Sequence, residues 1–424
     1  MRQLKSYILN NELYLKNLFF TFFSQGITAI SLIILTPLLT KYLGLQEFGT
    51  YGVILNIIAF SAIFDLGLNT GLLRKYILSD KSNNDLISNI FSFFLFLGVI
   101  LLPIYFYLFH LVLRLNNTAL ITISILSTVV IVQNVIILFF DTLIQGLNLI
   151  FVSKLLRALK LTFEFFITIS FLRILNLPFL LLITTTINFL YIISLYFYAK
   201  HTHKIELKIS KINWSLLISH IKFSFWYFLA SLASVLVFNT QIILINNIIG
   251  GSEAARFLIV TRFFDIIRIA MTNFTQVLTP KIIYIEYDNN WKKIKDLFLN
   301  VLKRLSILTI ILCIFLYFLG PVIFIKWSKI SDSSVISLFY VYIIFIALII
   351  IDNVSYIFLS ALKLNKTTTI VSVIQGIFTL ILTIIFVKHF GIIGAIYASL
   401  LSFVLTNMLF NPLYLVKSLN VKLV

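Results

Sequence analysis

The sequence predicts an all-α polytopic membrane protein, and three observations predict it. Hydrophobic residues make up 60% of the 424 positions and charged residues 11%, with a mean hydropathy of +1.06, whereas ordinary soluble domains are about a quarter charged. Apolar runs of about 20 residues recur along the chain, each able to cross roughly 30 Å of hydrocarbon as a helix. The basic residues between those runs alternate in density from one loop to the next, as loops on opposite sides of a membrane do. A soluble domain is excluded.

Taken in order, runs bounded by charges place twelve spans near 17–39, 48–72, 88–112, 119–144, 149–172, 178–199, 217–245, 255–284, 301–325, 334–361, 367–387 and 391–416. Span 1 follows a polar start and has no small-residue cleavage site at its end, so it is expected to stay as an anchor. "GLQEFGTY" separates spans 1 and 2, and only "QGLNLIF" separates spans 4 and 5. "KHTHKIELKISK" (200–211) divides span 6 from span 7, "GGSEAARF" leads into span 8, and "LSALKLNK" closes span 10. Pro37 and Pro280 stand near the ends of spans 1 and 8, where a missing backbone N–H permits a bend.

The formal charge of +18 invites a nucleic-acid partner, but its placement points elsewhere. With a cytoplasmic N-terminus, 24 of the 33 Lys and Arg residues fall on the inner side. This asymmetry puts both termini in the cytoplasm and makes the charge a matter of topology and lipid contact. No GxxxxGK[ST] or HExxH occurs, so neither a phosphate loop nor a zinc hydrolase has a basis. Cys313 is the single cysteine, and His201 with His203 lacks a third ligand, so no metal site and no organic cofactor is expected.

A faint repeat divides the chain in half. "GLQEFGTY" (44–51) and "GGSEAARF" (250–257) share their spacing of Gly, Glu and aromatic. The same shift pairs Phe19 with Phe225, Phe22 with Phe228, Gln25 with Ser231 and Thr28 with Ser234. The reading is a pair of six-helix bundles around a central cavity: an N-lobe over 1–199, a cytoplasmic linker over 200–216 and a C-lobe over 217–424, with each lobe starting and ending on one side.

"YLGLQEFGTYGVILNIIAFSAIFDLGLNTGLLRKYI" (42–77) resembles the first block of bacterial polysaccharide flippases. These are the Wzx-type members of the multidrug/oligosaccharidyl-lipid/polysaccharide (MOP) exporter superfamily. The residues carrying the likeness are Leu43, Gly44, Glu47, Phe48, Gly49, Asp65, Leu66, Gly67, Leu68 and Arg74, with further echoes in "IQGLN", "VLTPKI" and "LSALKLNK". The resemblance implies a MATE/MOP-like fold that moves an undecaprenyl-diphosphate-linked oligosaccharide across the bacterial inner membrane by alternating access. It implies a role in O-antigen or capsular polysaccharide synthesis, a proton or sodium counter-ion, and a polymerase or other assembly proteins as partners.

Span 8 carries the sharpest local signal. Arg262, Asp265 and Arg268 in "TRFFDIIRIAMTNF" share an arc of roughly 120° on a helix. Each charge costs about 2.5–3.5 kcal/mol at the bilayer centre, so all three should face protein or water. Two readings stand together: a cationic patch for a diphosphate or acidic sugar, or an ion-pair ladder fixing the helix. Gln25 and Thr28 in span 1, with Ser231, Ser234, Asn239 and Gln241 in span 7, are cavity-lining candidates that could equally serve helix packing. Glu164 and Asp65 are candidate coupling carboxylates, although Lys160 stands one turn from Glu164. The competing functions are a MATE-like drug exporter, disfavoured by a positive stripe, and a multi-span polymerase or glycosyltransferase. The latter needs outer-face carboxylates, of which the loops supply little beyond Glu47, Glu253 and Asp332. No residue is assigned a catalytic role.

Overall fold

The computed structural model describes residues 11–72, 84–113, 117–146, 149–203, 211–276 and 278–423, and every regular element among them is helical. In chain order these are α1 (Asn11–Ala59), the short α2 (Ser61–Phe64), α3 (Asn84–Val112), α4 (Asn117–Gly146), α5 (Ile150–Ser170) and α6 (Leu177–His203). There follow α7 (Trp214–Phe238), α8 (Thr240–Ile248), α9 (Gly251–Gln276), α10 (Thr279–Tyr287), α11 (Trp291–Phe318) and α12 (Gly320–Ser328). The chain closes with α13 (Ser333–Ala361), α14 (Asn365–Phe390), α15 (Ile392–Phe403) and α16 (Leu409–Leu423), the last two joined by a π-helical turn at Val404–Met408.

Nine helices among the described residues are long and apolar enough to cross a membrane. One of them, Leu15–Phe64, covers span 1 and most of span 2, two helical stretches that meet at a kink at Gly44 (φ 77°, ψ 164°). That conformation is open to glycine and strained for other residues. Spans 5 and 8 are the helices α5 and α9, whose charges keep them outside the nine. Each of the expected twelve spans falls mostly on helix, and the backbone is non-helical between spans 4 and 5 at Leu149 (φ −104°, ψ 46°), just before α5.

Packing divides the chain into two compact units. Unit 1 comprises Met1–Gly44 and Ile57–Ser231, and unit 2 comprises Leu45–Asn56 and Leu232–Val424. The division falls inside α7, and the second half of α1 counts with unit 2. In unit 1, Phe94, Phe139 and Phe140 are fully enclosed between α3 and α4, with Leu68, Leu195 and Leu217 around them. Asn89 clips the start of α7 to α3: it donates to the Asn213 carbonyl (3.0 Å) and accepts from the Asn213 N–H (2.8 Å). In unit 2, Phe264, Phe324 and Phe339 share one aromatic cluster, and Phe298 meets Phe358 at 5.4 Å in another. Large apolar side chains such as Phe19, Val99, Phe163 and Phe318 stay exposed, as lipid-facing positions should.

The glycines of "GLQEFGTYG" have distinct jobs. Gly49 lies so close to α9 that a Cβ there would stand 1.9 Å from the Gly251 carbonyl oxygen, and a Cβ at Gly52 would stand 2.5 Å from Leu258. Gly49 thus lets the second half of α1 pack backbone to backbone on the first turn of α9. Gly49→Ala should destabilise the protein by about 1–3 kcal/mol through overpacking. Thermal unfolding in detergent checks this, with Gly26→Ala, where no neighbour lies within 4 Å, as the control expected to melt like the wild type.

Candidate functional site

Helix α9 supplies the charged stripe, and buried residues of the same helix hold it in place. Ala254, Phe257, Val260 and Phe264 are completely or almost completely buried. Phe264 stacks on Tyr342 at 4.7 Å and meets Phe339 at 4.9 Å, both from α13. The remaining stripe, Leu258, Thr261, Arg262, Asp265 and Arg268, follows the three- and four-residue spacing of one helical face and lines a cavity of about 280 Å³ within unit 2.

Three of the polar positions expected at a cavity, Ser234, Asn239 and Gln241, line this one too, from the end of α7 and the start of α8. Gln241 is held by the Ala395 carbonyl (2.9 Å) and by the Ser399 hydroxyl. Asn56, Tyr342 and Ser399 complete the polar wall. They were not singled out from the sequence. Asn56, alone among apolar neighbours, gave a detectable signal, whereas Tyr342 and Ser399 come from helices far along the chain and gave none.

The charges are not equivalent. Arg268 donates twice to one oxygen of Asp265, from Nε at 3.1 Å and from Nη2 at 2.8 Å, and its guanidinium lies 5.0 Å over the Phe238 ring. Arg262 has no ion pair among the described residues. The stripe therefore combines one internally satisfied pair with one spare cation, and the patch and ladder readings each describe part of it. A carboxylate pair plus a free guanidinium leaves a net single positive charge at membrane depth, which suits an anion.

The other expected positions lie elsewhere. Gln25, Thr28 and Ser231 belong to unit 1, and the Thr28 hydroxyl donates to the Ser24 carbonyl at 2.9 Å. Glu164 accepts from Thr184 (2.8 Å) and pairs with Lys160 (3.0 Å). Asp65 is buried and accepts from the Asn69 N–H at 3.1 Å, capping the helix that begins after the turn at Leu66 and Gly67. Both turn residues have positive φ (50° and 70°), and a Cβ on Gly67 would stand 2.5 Å from the Ser224 carbonyl oxygen. Glu47 is exposed. Arg74 lies outside the described residues. No cluster of three metal-ligating side chains occurs among the described residues.

Residues 14–286, more than half of the chain, match the family described as polysaccharide biosynthesis protein. The chain belongs to that family. No curated protein matches it. Among solved structures, the family member is similar to the lipid II flippase MurJ in an inward closed conformation, at 17% identity and a TM-score of 0.72, covering 95% of this chain and 87% of that one. It is similar to an inward-facing multidrug resistance MATE transporter of the MOP superfamily, at 14% identity and a TM-score of 0.69, with 96% and 95% covered. It is also similar to a MOP superfamily transporter from Pyrococcus furiosus, whose binding pocket is described as of reverse polarity, at 13% identity and a TM-score of 0.66, with 97% and 96% covered. These likenesses establish the fold: this polysaccharide biosynthesis family member is a multi-pass helical membrane protein with the two-lobed architecture of MOP transporters.

Phe264 is the anchor that aims the α9 stripe. Phe264→Ala should cost about 3–5 kcal/mol in stability, seen as a lowered melting temperature of the detergent-solubilised protein. Thr261→Ala, on the cavity side of the same turn, should melt close to the wild type.

Proposed function

We propose that the protein is a flippase that carries an undecaprenyl-diphosphate-linked oligosaccharide across the bacterial cytoplasmic (inner) membrane for O-antigen or capsular polysaccharide synthesis, by alternating access. The observation that carries this reading is Arg262, a guanidinium without an ion pair among the described residues, lining a polar cavity beside the Arg268–Asp265 pair in a membrane-spanning helix of a polysaccharide-biosynthesis family member. A diphosphate offers the planar, multiply charged oxygens that guanidinium binds in two-pronged fashion. The amides and hydroxyls of Asn56, Ser234, Asn239 and Gln241 are suited to sugar hydroxyls.

In this reading the lobes are residues 1–199 and 217–424, both termini lie in the cytoplasm, and no covalent chemistry is performed. The cargo and membrane lipids are the partners in contact with the protein, and a polymerase acts on the delivered units. A proton or sodium ion is the counter-ion, with Glu164 and Asp65 as the carboxylates that would sense it. The net positive cavity disfavours export of cationic drugs, because like charge at membrane depth is repelled with little screening.

In cells depleted of the native protein, Arg262→Gln should lose most surface polysaccharide while lipid-linked units accumulate in the inner leaflet. Arg262→Lys, which keeps the charge but not the fork, should restore part of it. Full export by an inserted Arg262→Gln, or accumulation in the outer leaflet, would sink the proposal. For the counter-ion, transport by reconstituted Glu164→Gln should have a different pH profile from the wild type, and an unchanged profile removes Glu164 from that role.

A further inference from the structure

Helix α5 carries a second charged stripe, in unit 1, that the α9 cavity does not use. Lys154, Arg157, Lys160 and Glu164 recur at helical spacing and occupy one arc of roughly 120°. On nearly the opposite side, Leu159, Phe163 and Phe166 are exposed at 46%, 60% and 60%. An exposed apolar face on a membrane-spanning helix marks where the acyl chains are. The charged stripe, centred roughly 150° away, therefore faces away from lipid, where charge at membrane depth has to meet water, protein or a ligand.

Most of this stripe is already balanced. Lys160 pairs with Glu164 at 3.0 Å, and Glu164 also accepts from Thr184. Lys154 lies within electrostatic reach of Asp141, whose carboxylate accepts from Ser153 and Tyr191, both at 2.9 Å. Arg157 acts on Asp141 more strongly than Lys154 does, yet it is exposed and has no ion pair at contact distance among the described residues. Three cations against two carboxylates leave one positive charge, shared by Lys154 and Arg157 over the first two turns of the helix. Each unit thus carries a charged helix stripe with a surplus of one positive charge.

We infer that the Arg157 face of α5 is a second binding site for a phosphate or diphosphate group, distinct from the α9 cavity. It lies toward the end of α5 that the loop charges assign to the cytoplasm. The Lys160–Glu164 pair and the Asp141 carboxylate, which Lys154 and Arg157 share, keep the stripe from attracting more than one anion, and Arg157 supplies the fork for its oxygens. This inference rests on the reading of the cargo as a lipid diphosphate.

The test is equilibrium binding of polyprenyl diphosphate and, separately, inorganic pyrophosphate to the full chain in phosphatidylcholine nanodiscs. The wild type, Arg157→Gln, Arg157→Lys and Arg262→Gln are compared, with melting temperature as the folding check. Arg157→Gln should weaken polyprenyl diphosphate binding about tenfold, the loss expected for a charge-assisted contact, and Arg157→Lys should recover part of it. A matching loss for pyrophosphate means the site reads the phosphates alone, and a loss confined to the polyprenyl form means it needs a lipid-borne headgroup. Either supports the site. Binding to Arg157→Gln within twofold of wild type, while Arg262→Gln is impaired, overturns this inference and leaves the proposed function standing. A wild type that binds no polyprenyl diphosphate overturns both.

Discussion

A guanidinium cannot rest against hydrocarbon, and much of the organisation of unit 2 follows from that. Three charges on α9 would be costly to insert facing lipid, so the helix turns them inward and is fixed there by the buried Val260 and Phe264 beside them. The cavity exists because the inward face is polar and cannot be filled by apolar side chains. Asp265 and Phe238 then share the burden of Arg268, one by charge and the other by its ring. What is left over is the single charge of Arg262, and it sets the sign of the cavity.

The residues that carry the family resemblance do different work from those that face the cavity. Gly44 breaks α1, Gly49 allows the close approach to Gly251, and Asp65 with Leu66 and Gly67 forms a capped left-handed turn. Each answers a demand of the backbone. Such a block identifies an architecture, because any chain that bends and packs spans 1 and 2 this way needs the same residue types. In the proposed reading, substrate choice is written elsewhere, on α9 and the helices that close around it. This is why a chain can share the fold of both a MATE transporter and a lipid II flippase at 13–17% identity.

The helices were legible because an apolar run of 20 residues has few alternatives in a bilayer, and the α9 stripe because three charges in such a run have to share a side. The break between spans 1 and 2 was legible as well, since "KYLGLQE" reads as a boundary by its polarity and the backbone leaves the helical conformation there at Gly44. The sequence marks its division with the basic linker at 200–216, while packing divides inside α7 and gathers Leu45–Asn56 with unit 2, a result of long-range contacts that charge patterning does not encode. The repeat paired Gln25 with Ser231 and Thr28 with Ser234, yet only Ser234 lines the α9 cavity. Sequence spacing fixes which face of a helix a residue occupies, and tertiary packing decides what that face meets.

The pairing of Asp265 with Arg268 bears on how an anion could leave as well as enter. A cavity with two unpaired guanidinium groups would hold a diphosphate tightly and release it slowly, and translocation requires binding that is favourable yet reversible. Asp265 lowers the charge offered to the ligand from two to one, and it remains one turn away as a competitor that can recapture Arg268 when the ligand moves. On α5 the same arrangement recurs with Lys160 and Glu164 beside Arg157. In the proposed reading, carboxylates placed one turn from the cations do more than neutralise them: they keep each site weak enough to empty. The ion-pair ladder and the cationic patch, opposed as readings of the sequence, become two parts of one device.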